Sequence, residues 1–322
     1  MDKTYWESYY QTHRQSEGHS RFAACVLHEW LMPKNTQTQS ADSKQACAQN
    51  IQIESKAESS LVPKQTKQDM PIKQAKKASQ TSHSAQATHI NQAGQKHEAG
   101  QKIKKQEAQE ASQTLSLLEL GCGNGRDSLF FAAEGVRVEA IDQTKEQIDF
   151  LNSHAPDSAY AHAPRFIAGD FTRLDSLELS PPYDCVYSRF TLHSVDKASQ
   201  NRTLQDSLAL LKNGGLLAIE VRGKRNALYG RGEPHRLSNG EIEEGAFIYD
   251  NHYRRFLDFE QTCKEIESLA IPHSANTAGG GGVCNASLQH FRILYAAEDR
   301  GFAPLGDEDY YFIRIIAQKI CP

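Results

Sequence analysis

Twelve consecutive residues constrain this chain more than any others. Leu117-Leu118-Glu119-Leu120-Gly121-Cys122-Gly123-Asn124-Gly125-Arg126-Asp127-Ser128 reads as an apolar strand, a turn with three glycines and the start of a helix. Glycine takes up positive φ without steric cost and lets a ligand approach the backbone closely. The first turn of the helix leaves N–H groups free for an anionic group. A strand that feeds a helix through such a turn opens a βαβ unit, so a parallel sheet is expected. The spacing argues against a dinucleotide fingerprint. G-x-G-x-x-G would place its third glycine at position 126, where Arg126 stands.

The rest of the chain keeps that rhythm. Short apolar runs at 116–120, 137–141, 165–168, 184–188 and 216–221 alternate with helical stretches at 127–134, 144–152 and 201–211. A Gly- and charge-rich stretch, 222–251, then breaks the alternation. It precedes a helix over about 255–270 with an apolar stripe of Phe256, Phe259, Cys263, Ile266 and Leu269. Two strands close the chain, at 292–297 and 311–319. The turn between them, 301–309, is shorter than the dozen or so residues a parallel crossover needs, so the last strand is predicted antiparallel. The fold class is α/β: a Rossmann-like, doubly wound, mostly parallel seven-stranded sheet with an antiparallel last strand, plus a long disordered insert.

That insert, 35–114, contains no Phe, Tyr, Trp or Arg, and carries 16 Gln and 11 Lys in 80 positions. So few apolar side chains cannot offset roughly 1–2 kcal/mol of backbone entropy per residue, which predicts disorder. Its net charge is +4, which leaves −8 for the remainder of a chain whose total is −4. Before it, residues 1–34 form an arm that is expected to dock on the domain at 115–322. Ser20 is a plausible N-cap for a helix to about Leu31, with Phe22, Val26 and Trp30 on one side. A helix this short is marginal alone and needs a surface to pack on. The aromatic run Tyr5, Trp6, Tyr9 and Tyr10 could close over a bound cofactor or cap a domain edge.

Seven cysteines, an odd number without a CxxC pair, argue against a disulfide framework or zinc ribbon and fit a reducing cytoplasm. No metal is expected. No apolar run approaches the roughly 18 residues a membrane span requires.

Two acids end the next strands, where open α/β sheets bind ligands. Asp142 could accept both hydroxyls of a ribose, or be an ordinary turn aspartate. Asp170, followed by Phe171, could accept a bond from an exocyclic amine while the ring packs on a base, or again be a turn residue. With these residues the chain resembles the class I S-adenosylmethionine-dependent methyltransferases. Matching pieces are ELGCGNGRDS at 119–128, VEAID at 138–142, AGDF at 168–171, YDCVYSRFTLHSV at 183–195, LLKNGGLLAIEVRG at 210–223 and YYFIRIIAQK at 310–319. GNGRDS with YSRFTLHS, HYRRF at 252–256 and IRIIAQK is similar to a bacterial subgroup acting on small molecules. That subgroup has tellurite-resistance-like and surface-polysaccharide-linked relatives.

The resemblance implies S-adenosyl-L-methionine as cofactor and a small-molecule methyl acceptor as partner, with no nucleic acid and no membrane span. It implies that Gly121, Gly123 and Gly125 line the methionine and ribose side. Glu119 would hold the amino group, Asp142 the ribose, and Asp170 with Phe171 the adenine. Ser188, Arg189 and Phe190 would flank the sulfonium and the acceptor. Arg126 would clamp a carboxylate or serve as structure, and Trp6 would cover the cofactor.

Methyl transfer relies mainly on positioning, and a base is needed only when the acceptor keeps its proton. His193 is the candidate base, with Arg189 beside it; a packing histidine is the bland alternative. His252, Tyr253, Arg254 and Arg255 form a polar cluster that could bind an anionic acceptor. Two rival readings are a non-catalytic module that binds S-adenosylmethionine and, with less support, an NAD(P)-dependent oxidoreductase.

Overall fold

The computed structural model describes residues 3–13, 18–33, 114–154, 160–272, 288–303 and 310–321. The expectation of a disordered insert falls outside them. The arm and the residues from Leu115 onward belong to one compact unit; a second unit, Ser55–Thr114, lies almost wholly beyond the described residues.

The main sheet is built from β1 (Ser116–Leu120), β2 (Arg137–Asp142), β3 (Arg165–Ala168), β4 (Tyr183–Arg189) and β5 (Leu211–Arg222). Its antiparallel end holds β9 (Ala270–Pro272), β10 (Leu288–Asp299) and β11 (Phe312–Ile320). The order is β3-β2-β1-β4-β5-β11-β10-β9. The first five strands run parallel, and β11 inserts antiparallel between β5 and β10, as its short connection requires. Seven strands match the sequence expectation. The eighth, β9, is three residues long and borders the sheet beyond β10.

Apolar side chains alternate along the strands and feed two cores. Leu118 and Leu120 of β1 join the core that contains Ile141, Val186 and Ile219. Leu117 points the other way, into the core of Val138, Phe131 and Tyr187. A sheet buried on both faces needs helices on each. These are α3 (Arg126–Ala133), α4 (Lys145–His154) and α5 (Lys197–Leu210), with α6 (Phe259–Ser268) beyond them. The strand order reverses between β1 and β4, which opens a crevice at their C-terminal ends.

The arm folds as two helices, α1 (Lys3–Thr12) and α2 (Arg21–Cys25), and α2 widens into a π-helical turn over Val26–Leu31. Ser20 caps α2 by accepting from Ala23 N at 3.0 Å. Its own N–H and Oγ–H donate to the two Asp127 oxygens, both at 2.7 Å. The Asp127 carboxylate also accepts from Tyr187 at 2.8 Å. Phe22, Ala23, Val26 and Leu27 are buried in the second core, so this short helix gains its stability from tertiary burial.

The stretch after β5 departs from the expectation of an irregular segment running into a helix at about 255. It forms an antiparallel sheet of β6 (Glu233–Arg236), β7 (Ile242–Tyr249) and β8 (His252–Arg255), and α6 starts only at Phe259, capped by Asp258. A tight reversal at Asp250 and Asn251, both at positive φ, returns β7 into β8. No helix among the described residues is long and apolar enough to cross a membrane. Cys122, Cys185, Cys263 and Cys321 are free thiols. Cys25 is disulfide-bonded.

Candidate active site

A cavity of about 530 Å³ lies at the C-terminal ends of β1, β2, β4 and β5, walled by α1 on one side and β8 on another. That volume falls in the range of small-molecule sites. Glu119, Gly121, Gly123, Arg126, Asp142, Phe171, Arg189, His193, His252, Arg254 and Trp6 all line it. These are eleven of the residues singled out by sequence.

The glycine turn shapes one end. Gly121 and Gly123 have φ of +72° and +55°. A Cβ at Gly121 would collide with Thr191, and one at Gly123 with the Tyr10 hydroxyl, so the loop is compressed between the end of β4 and the arm. Thr191 ties this corner together by donating to Leu120 O at 2.7 Å. Glu119 is buried and accepts a bond from Ser128 Oγ–H. Burial first, and the nearby Asp127 second, push its carboxyl up to about 8. Arg189 and Arg126 act on it only weakly and no ion pair reaches it among the described residues, so Glu119 is mostly protonated at neutral pH.

Asp142 sits at the tip of β2. Its Oδ1 accepts from Thr144 N at 2.9 Å and Thr144 Oγ1 at 2.5 Å, and its Oδ2 accepts from Gly123 N at 3.0 Å. A carboxylate oxygen can accept two bonds, so Oδ2 keeps acceptor capacity.

The opposite end is cationic and aromatic. Arg189 donates to Glu220 at 2.8 Å, and Glu220 also accepts from Arg314 at 2.5 Å. The Arg189 guanidinium lies 4.1 Å from the Phe190 ring centre. Burial works against its charge, but Glu220, Tyr187 and Asp127 together outweigh burial and keep it protonated. His193 is buried, and its Nδ1 has no hydrogen-bond partner among the described residues. Burial, then the charges of Arg222, His252, Arg254 and Arg255, keeps it well below the ordinary histidine range, so it is a neutral imidazole.

The aromatic arm forms the cover. Along α1, Tyr5, Tyr9 and His13 fall at i, i+4 and i+8, and Trp6 and Tyr10 at i and i+4. Tyr5 stacks on His252 with ring centres 4.2 Å apart, and Trp6 meets the same ring edge-on at 5.0 Å. Trp6 Nε1 is buried without a partner among the described residues.

Five sequence candidates do not line the cavity. Gly125 faces Leu151 and Phe166 and shapes the loop from behind. Asp170 is exposed and caps the turn over Phe171–Ser176, accepting from Thr172 N and Oγ1 at 2.9 and 2.8 Å; only its neighbour Phe171 reaches the wall. Ser188 is buried within β4. Tyr253 donates to Glu243 at 3.0 Å, while Arg255 donates to Val195 O and Gln200 and lies 4.0 Å from Glu243. The reason for this last split is the strand itself. Alternation along β8 puts His252 and Arg254 on the cavity side and Tyr253 and Arg255 on the other.

Sequence reasoning passed over Arg222, Asp127 and Gln143, which also line the cavity. An arginine ending an otherwise apolar parallel strand was the available signal for Arg222.

Residues 117–215 match the family described as a methyltransferase domain. That segment of the chain is a methyltransferase domain. It is 30% identical over 112 residues to thiol S-methyltransferase TMT1B of Rattus norvegicus, a match that covers 35% of this chain and 44% of that protein. The chain thus matches less than half the length of this relative. A crystal structure of a Methanosarcina mazei S-adenosylmethionine-dependent methyltransferase aligns at 19% identity and a TM-score of 0.45, covering 65% of this chain and 94% of that one. The Burkholderia thailandensis 1,6-didemethyltoxoflavin-N1-methyltransferase aligns at 16% identity and a TM-score of 0.42, covering 73% and 93%.

S-adenosylmethionine presents an ammonium, a carboxylate, a ribose diol and an adenine, and the methyltransferase domain offers groups that fit each. Glu119 is a buried carboxyl without an ion-pair partner among the described residues. Asp142 retains an acceptor site beside the glycine turn, Arg126 lines the wall near Glu119, and Phe171 supplies an apolar face.

Proposed function

We propose that this protein transfers a methyl group from S-adenosylmethionine to a nucleophilic O, N or S atom of a small molecule. The observation that carries the reading is the convergence of Glu119, the Gly121–Gly123 turn and Asp142 on one cavity that also holds His193. When bound, the cofactor supplies an electrophilic methyl group on a sulfonium.

The chain does the rest. Glu119 holds the ammonium, and Asp142 accepts from the ribose. Phe171 packs on the adenine, while Arg126 faces the carboxylate. Trp6, Tyr9 and Tyr10 close the cavity against water, which strengthens every charge interaction inside it. Phe190 and Arg189 wall the acceptor side, with Arg189 locked by Glu220. His193 is neutral at physiological pH and can accept a proton at its free Nδ1 from an acceptor that arrives protonated. Arg189 is a positioning residue, because its charge is already matched.

The thiol-methylating relative makes thiols the first acceptors to try. Calorimetry with S-adenosylhomocysteine tests the cofactor half of the reading: Asp142→Asn is expected to weaken binding at least tenfold, about 1.4 kcal/mol. Release of S-adenosylhomocysteine over a panel of thiols, phenols and amines tests the other half. Tight binding with no turnover on any of them would favour a binding module. Unchanged affinity in the variant would remove Asp142 from the site.

A further inference from the structure

Four arginines line the cavity, and they differ in how their charge is met. Arg126 lies 3.5 Å from Asp127, and Arg189 pairs with Glu220 at 2.8 Å. Arg222 and Arg254 have no carboxylate within 4 Å among the described residues. Arg222 ends β5 and is largely buried. Its Nε is enclosed and unbonded, and Nη1 reaches only Asn226 Oδ1 at 3.5 Å. Its guanidinium lies 5.6 Å from the Phe190 ring centre and 5.3 Å from that of Phe312. Arg254 is half-buried and donates to the Tyr249 carbonyl at 2.8 Å.

Burial, with Arg254 and Arg189 nearby, pushes Arg222 down to about 10, yet it stays charged at neutral pH. Holding the buried Arg222 and the half-buried Arg254 on one wall beside a histidine, with no ion pair among the described residues and only Asp250 acting on Arg254 from farther off, is costly unless a ligand supplies an anion.

We infer that the methyl acceptor carries an anionic group, a carboxylate or phosphate, gripped by Arg222 with Arg254, which brings its nucleophile beside His193. This deepens the methyltransferase reading and rests on it. The cofactor's own carboxylate is the other possible source of that charge, and the layout places it elsewhere. Ammonium and carboxylate share one carbon, so the carboxylate must lie close to Glu119. Arg189 and Arg126 are the cations that act most strongly on Glu119, which puts them, rather than Arg222, at the cofactor's end. The Phe190 ring lies against both cations, 4.1 Å from Arg189 and 5.6 Å from Arg222.

The test uses benzoate as an anionic probe and benzamide as its neutral counterpart, titrated into the full chain with and without S-adenosylhomocysteine. Benzoate is expected to bind at least tenfold more tightly than benzamide. Arg222→Met should cost benzoate at least tenfold while S-adenosylhomocysteine affinity stays within twofold. The variant should melt no lower than wild type, since an unmatched buried charge has gone. Arg254→Gln, a less buried change, should weaken benzoate severalfold and guards against misfolding of the first variant.

Equal binding of benzoate and benzamide, or benzoate binding untouched by both variants, would overturn the inference. So would a tenfold loss of S-adenosylhomocysteine in Arg222→Met, which would assign Arg222 to the cofactor. If S-adenosylhomocysteine fails to bind wild type, the methyltransferase reading falls, while the titrations of ligand-free protein still decide whether Arg222 holds an anion.

Discussion

Binding of the cofactor should expel a proton, and Glu119 is the reason. Its carboxyl is pushed up to about 8 by burial and by Asp127. At pH 7 a group with that pKa is only about 9% ionised, and an ammonium beside it restores an ordinary carboxylate, so about 0.9 proton leaves Glu119 and, after the roughly 0.1–0.2 taken up by the ligand's amine, about 0.75 proton is released net per ligand bound. Ionising Glu119 at pH 7 costs about 1.4 kcal/mol, which is charged against affinity. Affinity for S-adenosylhomocysteine should therefore rise nearly tenfold from pH 6 to pH 7, because the ionised fraction rises by about that factor. An α-amino group itself titrates near about 7.7–8.0, so the gain slows to roughly threefold by pH 8 and reverses by pH 9. The optimum lies near pH 8. Calorimetry in two buffers of different ionisation enthalpy, phosphate and Tris, reads the proton count directly. Glu119→Gln should abolish the release, flatten the rising limb and cost about 1.5–3 kcal/mol at pH 8, the worth of a hydrogen bond to a charged group. A wild-type protein that binds with no proton release, or a variant that releases the same number, would refute the pairing of Glu119 with the ammonium.

Other outcomes follow from the same geometry. In the ligand-free protein the raised Glu119 pKa means that the folded state keeps a proton the unfolded chain loses from about pH 4.5 upward. Glu119 therefore makes stability fall as pH climbs toward about 8, and thermal melts of Glu119→Gln should show a shallower decline. His193 has the opposite sign: its folded pKa lies below about 6.5, so its contribution is present above that pH and fades as acid protonates the unfolded chain. His193→Gln should flatten the acid side of the melting profile, and an unaltered profile would contradict a buried neutral imidazole. Ser20→Ala removes the α2 cap and one bond to Asp127, at a cost of about 2 kcal/mol in urea unfolding; a loss below about 0.5 kcal/mol would show that the arm is held by its apolar contacts alone.

The glycine turn, the first five strands and the antiparallel terminus were legible because each depends on a local pattern. Apolar runs bounded by turn residues mark the strands, and a connection under a dozen residues dictates the direction of β11. Asp142 was readable for the same reason, as an acid at a strand tip in a parallel sheet. The HYRR segment was harder to read. Adjacent to an apolar stripe, it resembles a helix flank, in which all four side chains could serve together. Pairing with β7 makes it a strand, and period two then divides it. Asp170 misled for a related reason: a strand-end aspartate that caps its own following turn has the same local sequence as one that faces a ligand.

By itself the sequence determined the class of fold, the corner where the cavity opens and the carboxyl groups that line it there, since alternation and turn chemistry act over a few residues at a time. The tertiary structure decided which charges are already matched. Glu220 meets Arg189 from the neighbouring strand and Arg314 from a strand 94 positions along the chain, Asp127 takes the cap of a helix 107 residues earlier, and Arg222 finds no carboxylate among the described residues. Pairing and burial of charge are properties of neighbours in space, and no local window of sequence contains them.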